Sequence, residues 1–242
     1  MTGRALLRQV SRSRYRDEVI GVVIAVFYAV GVAGHYVATF LPSMIVLTPY
    51  TLLIFGAIVL VPALREGRLP LVIWAAGTYA LTFAAEAIGV ATGAIFGSYE
   101  YGPTLGARVL GVPLVIGFNW VLVVLGAACV CGFIAACVQR RTVRAGLPAR
   151  TALLAGVTAA AVSTAAIGVA FDVMLEPVAM NYDYWQWQGG SVPMQNYAGW
   201  FLVGLIPAIA WFAFGMRLRT RLPAYYLVIQ ALFFAALLPA SL

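Results

Sequence analysis

The sequence predicts an all-α fold, a polytopic membrane bundle of about seven transmembrane helices, and three features point to it. Of the 242 residues, 63% are hydrophobic and 10% are charged, against roughly 25% charged in a typical soluble domain. The apolar residues fall into windows of about 20, the length that crosses a hydrocarbon layer about 30 Å thick. Arginine, glycine and proline punctuate these windows, and lysine is absent. With a mean hydropathy of +0.96, no stretch is left for a soluble second domain, so residues 1–242 read as a single integral membrane domain.

The windows place helices near 18–40, 44–64, 71–96, 109–138, 151–176, 197–216 and 222–240. Residues 1–17 precede them as a cytoplasmic segment. The first window has no small-residue cleavage site, so it reads as a retained helix and not a signal peptide. Orientation follows from arginine. Arg4, Arg8, Arg12, Arg14 and Arg16 precede the first window, Arg65 and Arg68 follow the second, Arg140, Arg141, Arg144 and Arg150 join the fourth and fifth, and Arg217, Arg219 and Arg221 follow the sixth. Only Arg108 falls on the other side, so the N-terminus is expected in the cytoplasm and the C-terminus outside, in a multi-pass protein of the cell membrane. The same clustering between apolar runs argues against nucleic acid as the partner of a chain whose net charge is +7. Cys129, Cys131 and Cys137 share one apolar stretch without nearby histidine, which offers neither a disulfide framework nor a zinc site.

The outer connections, 97–108 and 177–196, are rich in Tyr, Trp, Gly and Asn. Interfacial anchoring accounts for some of these rings. Tyr182, Tyr184, Trp185 and Trp187 are denser than anchoring requires and are expected to fold over the bundle as a lid. Asp17, Glu18 and Glu66 fall to the cytoplasmic surface, and Glu100 and Asp183 to the outer loops. Glu86, Asp172 and Glu176 lie within apolar windows, where an ionisable group costs about 2.5–3.5 kcal/mol on insertion scales and so faces the bundle interior. At about 1.5 Å rise per residue, Glu86 and Asn119 lie some 10–15 Å below the outer ends of their helices and Asp172 about 6 Å below its own. Asp172 and Glu176, four residues apart, share a helix face, and Pro177 is expected to end that helix. With Asn196 and Tyr197 they would rim one cavity, which His35, near the outer end of the first helix, is expected to join. Gly89, Gly93 and Gly97 form a small-residue stripe on the third helix, suited to close packing or to a groove for a rod-like lipid.

Several activities are excluded. Without lysine there is no retinal Schiff base. Paired aspartate-rich motifs for magnesium diphosphate are missing, as is the internal repeat of many transporters. No metal site is expected, since one histidine with scattered carboxylates makes a poor ligand set.

Glu86, GSYEYG (97–102), GVPLVIGFNW (111–120), FDVMLEPVAMNYDYWQW (171–187) and NYAGWF (196–201) resemble the carotenoid biosynthesis family that includes the gamma-carotene 1,2-hydratases and the bisanhydrobacterioruberin hydratases. The resemblance covers roughly residues 80–215. It implies a cofactor-independent enzyme that adds water across the isolated terminal double bond of an acyclic carotenoid, giving a tertiary alcohol. Lycopene, gamma-carotene or a longer acyclic carotenoid would be the substrate, drawn from membrane lipid. The chemistry needs a neutral carboxylic acid, aromatic faces for a tertiary cation, and a held water. Glu86, Asp172, Glu176 and Asn119 are the expected catalytic residues. Tyr99, Tyr101, Trp120, Tyr182, Trp185, Trp187, Asn196, Tyr197, Trp200 and His35 are the expected substrate contacts. A cyclase or isomerase would use the same cation, and a carotenoid or lipid carrier would use none.

Overall fold

The computed structural model describes residues 3–240, with side chains from Tyr15 onward. Arg4, Arg8, Arg12 and Arg14 therefore have side chains outside the described residues. Six helices are long and apolar enough to cross a membrane. They are α1 (Gly3–His35), α2 (Leu41–Thr92), α3 (Leu114–Arg144), α4 (Ala149–Asn181), α5 (Met194–Ala213) and α6 (Leu222–Leu237). Four short strands, β1 (Tyr99–Tyr101), β2 (Arg108–Val109), β3 (Val112–Pro113) and β4 (Trp185–Trp187), lie in the connections.

The helix count is six, not the expected seven, because the windows at 44–64 and 71–96 belong to one helical run. As a straight rod, the 52 residues of α2 would reach about 78 Å at 1.5 Å per residue, more than twice the hydrocarbon thickness. The run instead doubles back at Arg68, which takes φ 54° and ψ −150°. Pro70 supplies the cause: it has no N–H to donate to Glu66, its ring crowds that carbonyl, and it disfavours helical geometry at Leu69. Thr48 and Glu86 consequently reach the same end of the bundle, where each bonds a tyrosine of the outer connections. Glu66 lies at the opposite end and accepts the backbone N–H groups of Arg219 and Thr220.

Other boundaries also differ. α1 begins at Gly3, upstream of the expected 18, and ends at His35. α4 runs through Pro177 to Asn181, since a proline forfeits one hydrogen bond without ending a helix whose next turn, with Val178 and Ala179, is buried. The glycine stripe is not helical along its length. Gly89 lies in α2, but Gly93 is the left-handed cap at φ 66° and Gly97 takes φ 99° beyond the helix end.

α3 is the central helix. Residues 121–128 are buried without interruption, as expected of a helix packed on all sides. Gly126 permits α6 to approach, because a Cβ there would stand 2.6 Å from the Pro223 carbonyl oxygen. At the arginine-rich end, buried Asp17 accepts the Arg221 N–H at 2.9 Å, so this acid pins the start of α6 and does not sit on the surface. At the opposite end Asn181 donates to the Ala240 carbonyl at 3.3 Å.

That second end carries the lid. β1 pairs antiparallel with β4, setting Tyr99 opposite Trp187 and Tyr101 opposite Trp185, with Glu100 opposite Gln186. Alternation of side chains along each strand sends the four rings inward and leaves Glu100 and Gln186 exposed. Gly102 makes the junction possible: a Cβ there would lie 1.8 Å from the Asp183 carbonyl oxygen.

Candidate active site

Four helices and the lid converge on one cavity of about 40 Å³. α2 contributes Glu86, and α5 contributes Asn196 and Trp200. α3 contributes Ile116, Asn119 and Trp120, and α4 contributes Asp172, Leu175 and Glu176. Each of these two triplets follows i, i+3, i+4 spacing, so a single face of each helix is presented. Tyr99, Tyr101, Trp185 and Trp187 close the cavity from the lid.

Every hydrogen bond found on the three carboxyl groups comes from a neutral donor. Glu86, 4% exposed, accepts at Oε2 from the Tyr101 hydroxyl at 2.7 Å and from the Tyr99 hydroxyl. Burial pushes both phenols well above their ordinary pKa, so they remain protonated donors. Glu176 Oε2 accepts from the indole N–H of Trp185 at 2.8 Å and of Trp187 at 2.7 Å. The Asn196 amide bridges the pair, donating to Asp172 Oδ2 at 2.7 Å and Glu176 Oε1 at 3.2 Å. Among the described residues no basic side chain pairs with any of the three, and the one ion pair joins Arg16 to Asp17 at 3.5 Å.

Aromatic faces make up the rest of the wall. Trp120 stacks on Trp200 with centroids 3.7 Å apart, and Phe96 stacks on the other side of Trp200 at 4.5 Å. In the lid, Tyr99 lies 4.7 Å from Trp187. Gly199 accommodates Phe96, which would meet a Cβ there at 2.8 Å. Such a site combines proton carriers, π faces and room for water, and carries no fixed positive charge.

Residues 47–241 match the family described as carotenoid biosynthesis protein. The chain belongs to that family. A curated relative, named bisanhydrobacterioruberin hydratase, from Haloarcula japonica, is 34% identical over 194 residues, covering 75% of this chain. The match covers 60% of that relative, so the chain spans about 60% of its length. No solved structure matches the chain.

In this carotenoid biosynthesis protein, three expected site residues stand outside the cavity. His35 lines a separate cavity between α1 and α2, because its place at the end of α1 gives it the right height but the wrong side of the bundle. Tyr182 packs against His35 with ring centroids 5.0 Å apart. Tyr197, half-buried, is turned away by one position from the buried Asn196. Tyr99 and Tyr101, expected against substrate, are bonded to the Glu86 carboxyl. Three residues went unforeseen. Ile116 and Leu175 complete the helix faces, a position the i, i+3, i+4 spacing already implied. Gln230, buried on α6, donates to Asn119 Oδ1 at 3.0 Å; a lone glutamine in an apolar window was its only signal.

Proposed function

We propose that this protein is a carotenoid hydratase, which adds water to the terminal isolated alkene of an acyclic carotenoid and needs no cofactor. One observation carries the reading: three buried carboxyl groups, bonded only by neutral donors, share a cavity with two aromatic walls. An isolated alkene is a very weak base, so it calls for a full carboxylic acid poised at the reacting carbon. The tertiary cation that follows is stabilised by ring faces and by negative charge, and an arginine would oppose it.

Glu86 is the proton donor in this mechanism. Its Oε2 is held by two phenol O–H groups, which leaves Oε1 to present the proton to the less substituted alkene carbon. The same two donors then stabilise the carboxylate left behind. The cation forms against Trp120 and Trp200, Glu176 contributes negative charge fixed by its N–H donors, and Asp172 with Asn196 holds the water. Asp172 takes the proton of the attacking water, and cavity water returns it to Glu86, so one water is consumed and no redox change occurs. Asn119, its amide oxygen engaged by Gln230, offers its N–H to the same water. In this scheme the end group reaches the carboxyl groups beneath the β1–β4 lid. The arginine-rich end faces the cytoplasm in this scheme, and the site opens toward the outer half of the membrane.

Expression in hosts that make lycopene, gamma-carotene or a longer acyclic carotenoid, followed by pigment mass analysis, tests the proposal. Pigment heavier by one water is expected from at least one host. A changed pigment of unaltered mass would point to a cyclase or isomerase, and unchanged pigment in every host to a carrier.

A further inference from the structure

A second cavity, of about 180 Å³, lies between α1 and the first half of α2, floored by Phe233 and Phe234 of α6. It shares no lining residue with the carboxylate site. Its walls are apolar, with Phe27, Tyr28 and Phe55 prominent, and Phe27 is exposed at the mouth. An apolar cavity of this kind suits the end of an apolar chain.

The polar groups of this cavity are unequally satisfied. Thr48 donates to the Met44 carbonyl and accepts from Tyr184, and Thr51 donates to the Leu47 carbonyl. His35, 6% exposed, has its Nδ1 at 2.7 Å from the Gly31 carbonyl oxygen. That carbonyl can only accept, so Nδ1 carries the ring proton and Nε2 of the neutral imidazole is an acceptor. Nε2 is buried without a partner, and so is the hydroxyl of Tyr182, whose ring packs on His35. An unsatisfied buried acceptor on a residue that lines an apolar cavity marks where a ligand's polar group belongs.

We infer that this cavity is a binding site for an apolar chain that ends in a hydroxyl group, of the class of a prenyl alcohol. A hydroxyl donates to His35 Nε2. A ketone, aldehyde or hydrocarbon end leaves Nε2 unpaired, so the site discriminates by hydrogen-bond donation. The inference does not depend on the hydratase reading, although the tertiary alcohol of that reaction belongs to the class bound.

The chain has one histidine, so its ring signals report on this site alone. In purified protein labelled with ¹⁵N-histidine, saturating geranylgeraniol is expected to shift the Nε2 resonance, whereas the corresponding aldehyde and the hydrocarbon of equal length leave it in place. The alcohol is also expected to bind at least about tenfold more tightly than either. An Nε2 signal unmoved by the alcohol, as when water alone meets Nε2, would overturn the inference, and so would equal shifts from all three compounds.

Discussion

Glu176 accepts two indole N–H groups and one amide N–H, none of which can act as an acceptor, while Glu86 is bonded by two phenols. This difference in partners separates the roles of the acids. Glu86→Gln removes the transferable proton at constant size, so hydration is expected to fall at least about 100-fold, the scale of a lost general acid, with carotenoid still bound. Asp172→Asn is expected to retain cation formation and yield shifted-alkene or cyclised products. Pigment analysis of both variants at equal protein level checks the assignment; hydration surviving in the glutamine variant alongside untouched substrate in the asparagine variant would reverse the two acids. Tyr99→Phe and Tyr101→Phe each leave Glu86 one donor, and each should slow turnover more than it lowers the amount of folded protein. The three acids were conspicuous in the sequence, because an ionisable group within an apolar window has few reasons to be there. His35 was misplaced for a definite reason. Counting residues along a helix gives height in the membrane, but the side of the bundle depends on how α1 packs against α2 and α6.

The lid is the element on which the site depends. β1 and β4 come from connections 84 positions apart at Tyr101 and Trp185, and at Gly102 the chain leaves no room for a Cβ beside the Asp183 carbonyl. Gly102→Ala would drive a methyl group into the Asp183 carbonyl, so it is expected to separate the strands and abolish most activity. Gly77→Ala, with nothing within 4 Å of the added Cβ, should leave activity intact. Parallel assays with a tryptophan fluorescence comparison distinguish a displaced lid from a general loss of folding. In the sequence these segments read only as aromatic-rich connections, and two three-residue strands cannot be paired from pattern alone. The glycine spacing misled in the opposite sense: a repeat of four looks helical, yet Gly93 supplies the left-handed cap that ends α2. At Arg68 the sequence showed the break as two windows, whereas the chain stays helical on both sides of a single non-helical residue.

For the whole molecule, polarity between its two ends is the organising feature. Asp17 and Glu66 bind the backbone at 219–221 and draw α1, the reversal of α2 at Arg68 and the start of α6 together. Asp17→Ala leaves the Arg221 N–H unpaired, and thermal unfolding in detergent is expected to show a loss of about 1–3 kcal/mol, partly restored by Asn. Orientation is open to direct labelling. In a background lacking Cys129, Cys131 and Cys137, Gln188→Cys should react with an impermeant thiol reagent on intact cells and Leu147→Cys should not. The opposite pattern would invert the bundle in the membrane. The arginine asymmetry and the apolar windows made the membrane bundle legible from sequence, since both are set by local composition, while the convergence of four helices and two strands on one cavity depends on packing over more than a hundred positions. The most direct test of hydration itself uses purified protein, an acyclic carotenoid and H₂¹⁸O, with no added cofactor. A tertiary alcohol carrying one ¹⁸O is the expected product; a converted carotenoid without ¹⁸O would contradict the addition of water.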